Sequence, residues 1–145
     1  MLVSDIMNRN AVSIFPNESV LKAAELLKSH NIGSLPVCDE KKHIQGIVTD
    51  RDIVIRCVAA DKIPGATPVS AIMTRRIVSV SPDVTITKAA ELMSNAQIRR
   101  LPVIRNDKLI GMLSLGDMAK NTDCEMEAAE ALTEISLNIK KMGTR

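Results

Sequence analysis

Lys22-Ala23-Ala24-Glu25-Leu26 returns unchanged as Lys88-Ala89-Ala90-Glu91-Leu92, and this repetition decides how the rest of the chain reads. Working outward, the two copies stay in step without a gap over residues 3–37 and 69–103. Val3-Ser4-Asp5-Ile6-Met7 returns as Val69-Ser70-Ala71-Ile72-Met73, Val12-Ser13 as Val78-Ser79, and Pro16 as Pro82. Leu35-Pro36-Val37 returns as Leu101-Pro102-Val103. About half of the aligned positions are identical, where unrelated stretches of ordinary composition share roughly one in twenty. One residue is then lost, and Gly46–Ile53 matches Gly111–Met118. Two copies are too few for a solenoid. Two units that each leave an apolar face open can instead pack on each other about a pseudo-two-fold axis. The expected division is a first repeat over 1–60, a linker over 61–68 with two prolines and a glycine, a second repeat over 69–121, and a C-terminal helix within 122–145.

Each copy shows the same order of elements. A short helical turn around Asp5–Met7, or Ala71–Met73, precedes a short strand at Val12–Ile14, or Val78–Val80. Each strand ends near a proline, which cannot donate to a ladder. A helix follows, with Val20, Ala23, Ala24 and Leu27 in one stripe and Ile86, Ala89, Ala90 and Met93 in the other. Asn17 or Ser19, and Asp83 or Thr85, are its candidate N-caps. Two strands then pair, about 34–38 with 43–49 and about 101–105 with 108–114, and a last helix begins near Asp50–Asp52 and near Gly116-Asp117. A β-α-β-β-α order given twice predicts an α+β fold, with two small mixed sheets and helices on one face of each.

The C-terminal helix is expected over about 125–141, with Ala128, Ala131, Leu132, Ile135 and Ile139 as its stripe. Acidic residues at its start, and Lys140 and Lys141 near its end, suit the helix dipole. It either packs on its own domain or forms a dimer contact.

Composition narrows the class. Apolar residues make up 46% of the chain but aromatics 1%, so the core is aliphatic. No apolar run reaches the roughly 18–20 residues of a membrane helix, and the N-terminus does not read as a secretory signal. Cys38, Cys57 and Cys124 are an odd count without CxxC spacing, which favours buried, reduced thiols in the cytoplasm. A net charge of +2 gives no nucleic-acid footprint. His30 and His43 stand in different predicted elements, without partners at metal-ligand spacing. No nucleophile motif or acid–base carboxylate pair is assembled, so catalysis is not expected.

One pattern does carry chemistry. A strand ends in a hydroxyl residue and a carboxylate follows three residues on, as Thr49 with Asp52 and as Ser114 with Asp117. Such a carboxylate can accept two hydrogen bonds from the diol of a ribose, beside free helix N–H groups. The same spacing is also that of a capping box, which would make both pairs structural. Arg99 and Arg100 stand where the first copy has Gly33 and Ser34. A guanidinium there can clamp phosphate, and a glycine can let a base approach the backbone. Solvated loop charge is the plainer reading, for Arg51 as well.

Taken together these residues resemble the cystathionine-β-synthase (CBS) domain, present as a tandem pair often called a Bateman module. The likeness rests on Asp5-Ile6-Met7 with Ala71-Ile72-Met73, on the Lys-Ala-Ala-Glu-Leu and Leu-Pro-Val repeats, and on the segments from Gly46 and Gly111. It covers about residues 1–120. It implies a non-catalytic regulatory module that binds AMP, ADP or ATP in clefts between the repeats, with S-adenosylmethionine a further candidate. Carried over, it implies ribose contacts from Thr49, Asp52, Ser114 and Asp117, and phosphate contacts from Arg99, Arg100 and Arg51. It places Val12, Val78, Gly33, Ser34, Ile47, Val48, Met112 and Leu113 along the base and cleft. Because the first copy lacks the paired arginines, the two clefts should differ in charge. The resemblance also implies a homodimer acting on a protein partner of unknown identity. The alternative is a ligand-free interaction or dimerisation module.

Overall fold

A computed structural model describes residues 1–142, and of Thr122 and residues 138–142 the backbone alone. The elements are α1 (Val3–Ile6), α2 (Val20–His30), β1 (Ser34–Cys38), β2 (Ile44–Thr49), α3 (Asp50–Asp52), α4 (Ile86–Ala96), β3 (Arg100–Arg105), β4 (Lys108–Ser114), α5 (Leu115–Ala119) and α6 (Glu125–Met142). α3 runs on as a π-helical turn, Ile53–Val58. The fold is mixed α/β with two small antiparallel sheets, β1–β2 and β3–β4.

Local chemistry sets the boundaries. Ser19 and Thr85 cap α2 and α4, their hydroxyls accepting from the N–H of Lys22 at 3.1 Å and Lys88 at 3.2 Å. Both helices stop at a residue in the left-handed region, Asn31 (φ 52°) and Gln97 (φ 60°). The turn Asn106-Asp107 has φ of 52° and 64°. Two successive positive values suit the tight hairpin that joins β3 to β4.

The chain forms two compact units, and their boundaries cross those of the sequence repeat. One, here unit 1, gathers Met1–Ala11, Val78–Asn106 and the chain from Ile110 onward; unit 2 gathers Val12–Ile77 with Asp107–Leu109. Each repeat's body is therefore packed with the opening turn of the other repeat. In unit 1, Val3 and Met7 join a core with Val80, Ile86, Leu101 and Leu113. In unit 2, Val69, Ile72 and Met73 join Ile14, Val20, Leu35 and Val48.

The short strands expected at Val12–Ile14 and Val78–Val80 contract to single parallel bridges, Ile14 to Val37 and Val80 to Val103. The prolines two residues after each bridge leave no room for a longer ladder. On the far edge of each hairpin the exchanged turn adds one antiparallel bridge, Thr74 to Ile47 in unit 2 and Asn8 to Met112 in unit 1. These contacts are close. A Cβ at Gly46 would lie 2.6 Å from Met73 Sδ and 2.9 Å from the Thr74 carbonyl oxygen. One at Gly111 would lie 2.9 Å from the Asn8 carbonyl oxygen.

α6 packs on α4 and α5, with Ala128, Ala131 and Ile135 buried in the unit 1 core. Its own-domain packing is thus observed. Leu132, expected on the same stripe, is 44% exposed. The side chains of Ile139, Lys140 and Lys141 lie outside the described residues. Cys38, Cys57 and Cys124 are all buried free thiols.

Candidate functional site

Both hydroxyl–carboxylate pairs form capping boxes. In unit 2 the Thr49 hydroxyl accepts from the Asp52 N–H at 3.0 Å, and the Thr49 N–H donates to Asp52 Oδ2 at 3.0 Å. In unit 1 the Ser114 hydroxyl accepts from the Asp117 N–H at 3.0 Å, and the Ser114 N–H donates to Asp117 Oδ2 at 2.9 Å. Each turn is tied to the strand that precedes it in space. Asp50 N–H donates to the Gly33 carbonyl, and Leu115 N–H to the Arg99 carbonyl, both at 3.0 Å. Thr49 and Asp52 are thereby drawn towards Gly33 and Ser34, and Ser114 and Asp117 towards Arg99 and Arg100.

The two aspartates then part company. Asp52 is 7% exposed. Its carboxylate also accepts from the Thr74 hydroxyl, and Arg56 Nε lies 3.8 Å from Oδ1. Arg56 is itself held by the carbonyls of Ile72 and Met73 at 3.3 Å. Asp117 is half-buried, and among the described residues its carboxylate bonds only to the Ser114 N–H. Thr74 and Arg56 were not singled out from the sequence. The signal lay in the alignment, where Asn8 and Asn121 occupy their places in the other copy.

The remaining candidates separate by strand alternation. Val48 and Leu113, expected beside a nucleotide, are fully buried in the unit 2 and unit 1 cores. Their neighbours Ile47 and Met112 point the other way and are half-buried, as are Val12, Val78 and Gly33. Ser34 is buried, and among the described residues its hydroxyl finds no hydrogen-bond partner. Arg51, Arg99 and Arg100 are exposed, and among the described residues none of the three guanidiniums takes part in an ion pair. Arg99, Arg100 and Ser114 border a cavity of about 530 Å³ in unit 1. Among the described residues no three His, Cys, Asp or Glu side chains are grouped to hold a metal ion, and no helix is long and apolar enough to cross a membrane.

The sequence pattern of the CBS domain matches this chain twice, over residues 3–58 and 69–122. The chain belongs to the CBS-domain family. Its two CBS repeats account for all the candidate residues above. The chain is 40% identical to the CBS domain-containing protein YhcV of Bacillus subtilis over 134 residues, 92% of this chain and 94% of that protein. Among solved structures it resembles Hypoxic Response Protein I with two coordinated zinc ions, at 30% identity and a TM-score of 0.77, over 83% of this chain and 98% of that one. It also resembles the CBS domain pair of protein MJ0100 in complex with 5′-methylthioadenosine and S-adenosylmethionine, at 30% identity and a TM-score of 0.75. That match covers 83% of this chain and 94% of the other.

Proposed function

We propose that this CBS pair is a non-catalytic regulatory module that binds an adenine nucleotide, AMP, ADP or ATP, with its principal site in the second repeat. The observation that carries the reading is the gathering of Ser114, Arg99 and Arg100 around one cavity, beside an aspartate with carboxylate capacity to spare. In this reading Asp117 accepts from the ribose hydroxyls, and Arg99 and Arg100 take the phosphates by charge-assisted hydrogen bonds. Met112 and Val78, half-buried, are the apolar positions that the resemblance assigns to the base, and they lie outside the lining of that cavity. The adenosine ligands of the MJ0100 pair support the ligand class and keep S-adenosylmethionine as a candidate. In the first repeat, Asp52 has little capacity left, and Gly33 and Ser34 bring no charge. Arg51 then serves, at most, an accessory phosphate contact.

Calorimetry of the full chain with AMP, ADP, ATP and S-adenosylmethionine tests this. The expected result is saturable heat with at least one of them, weakened tenfold or more by Asp117→Ala, about 1.4 kcal/mol. Folded protein that gives no heat with any of the four overturns the reading.

Self-association is a second reading with its own observation. Val54, Ile55 and Val58 on the π-helical turn are 55%, 51% and 61% exposed, and Ile63 is 71% exposed. Arg56, on the same turn, lies 3.8 Å from Asp52 and keeps its side chain 52% exposed. In this reading the exposed aliphatic side chains of the turn meet their own copies across a two-fold contact between identical chains, with Arg56 at the rim. Light scattering should give a dimer that Ile55→Asp breaks; a monomer at all concentrations would remove this reading. A cytoplasmic setting and a downstream protein partner complete the proposal.

A further inference from the structure

The second CBS repeat, as the family pattern defines it, ends at residue 122, yet α6 beyond it supplies a wall of the unit 1 cavity. Arg99, Arg100 and Ser114 border one side; Glu125, Ala128 and Leu132 border the other. The position of α6 is fixed by packing, because Ala128, Ala131 and Ile135 are anchored in the core. Leu132 keeps 44% of its surface exposed and so offers the cavity an apolar flank. The lining is divided chemically: two guanidiniums unpaired among the described residues, an aliphatic flank, and a single carboxylate at Glu125.

We infer that this cavity takes a phosphorylated ligand with an apolar body, and that α6 is its specificity wall. Leu132 bounds the body of the ligand, and Glu125 limits how much negative charge is accepted beside Arg99 and Arg100. The inference rests on the nucleotide reading above. It adds a rank order, in which the native chain favours a monophosphate over a triphosphate because each added phosphate charge is repelled by the Glu125 carboxylate on the same cavity. It also makes α6 the output. A ligand that touches both the repeat and α6 binds the docked helix better than an undocked one, and so favours the docked state by that difference in affinity.

The test is calorimetry of AMP and ATP with the full-length wild type, Glu125→Gln and Leu132→Trp. Glu125→Gln should tighten ATP at least threefold and AMP by less, a gain that misfolding cannot imitate. Leu132→Trp, which fills the cavity, should weaken AMP at least tenfold while the circular dichroism stays that of the wild type. Unchanged ATP affinity in Glu125→Gln, or unchanged AMP affinity in Leu132→Trp, overturns the inference and leaves the nucleotide reading standing. If the wild type gives no heat with AMP, ADP, ATP or S-adenosylmethionine, that reading falls by itself and pyrophosphate decides the cavity. Heat with pyrophosphate that Arg99→Ala/Arg100→Ala abolishes retains the phosphate site; no heat overturns it.

Discussion

The hydroxyl of Thr74 donates to both carboxylate oxygens of Asp52, at 3.3 and 3.4 Å. The bond spans 22 residues and ties the exchanged turn of the second repeat to the capping box of the first. Asn8 stands in the equivalent place in unit 1, but its side chain accepts from the Asn10 N–H at 3.0 Å instead of engaging Asp117. Two aspartates at matching positions are therefore built into different networks. Asp52 closes a structural knot of Thr49, Thr74 and Arg56, while Asp117 completes the capping box of Ser114 and, among the described residues, has acceptor capacity left.

Stability should separate them. Asp52→Ala removes the N3 carboxylate of the capping box, which accepts from the Thr49 N–H, worth about 1 kcal/mol. It also leaves the Thr74 hydroxyl and the Arg56 guanidinium without their acceptor, a further 1–2 kcal/mol or so. Asp117→Ala removes the matching N3 carboxylate alone, about 1 kcal/mol. Urea unfolding is expected to show Asp52→Ala as the more destabilised by about 1–2 kcal/mol, with Thr74→Val recovering about half of that difference. Equal losses for the two alanine variants would contradict the division of roles.

Close approach makes Gly46 and Gly111 the next test. An alanine Cβ at either place meets a backbone carbonyl at 2.9 Å, the Thr74 oxygen or the Asn8 oxygen. Backbone cannot swing aside as a side chain can. Each substitution should cost about 1–3 kcal/mol through overpacking. Gly46→Ala should cost more, because its Cβ also meets Met73 Sδ at 2.6 Å. Thermal melts of the two variants check the sign and the order; an unchanged melting temperature in both would show that the turns are not held as described.

Burial pushes the Cys38 thiol up to about 11, with the Asp39 carboxylate adding to the effect. The fold thus favours the neutral thiol over the thiolate. The contribution to stability is full below the ordinary thiol value of 9.0 and is lost as pH rises towards about 11. A thiol reagent at pH 8 should leave Cys38 unmodified in the folded chain and modify it in urea, since the thiolate is the reactive form. Between pH 9 and 11 the wild type should lose stability that Cys38→Ala retains. Rapid labelling of Cys38 in the native state would overturn the assignment.

The repeat made most of this legible. Matching copies of a helical stripe and a hairpin fix the elements, and Ser19 and Thr85 serve as the caps their positions suggest. Alignment reports which residues are alike, however, not which pack together. The exchange of opening turns was therefore invisible, because Val3 and Val69 look equally at home in either body. The inequality of the two sites was half visible. Paired arginines against Gly33-Ser34 can be read from the sequence, whereas the capture of Asp52 by Thr74 depends on a contact between distant segments. The resemblance puts the segments of Val48 and Leu113 beside a ligand, while strand phase, set by the core, buries these two side chains fully. Family resemblance gives the segment; alternation decides which of its side chains face out.

The exchange itself can be measured. Val3 and Val69 are both fully buried. Val3 N–H donates to the Val84 carbonyl and Val69 N–H to the Glu18 carbonyl, each at 2.8 Å. Each valine therefore closes the body of the repeat to which it does not belong in sequence. Truncation to alanine deletes two buried methyl groups, about 2 kcal/mol. Local opening follows the unit that loses the contacts. Hydrogen exchange is expected to quicken in α4 and β3 for Val3→Ala, and in α2 and β1 for Val69→Ala. If Val3→Ala instead loosened α2 and β1 while α4 stayed protected, each opening turn would belong to its own repeat. Thr74 would then have no route to Asp52.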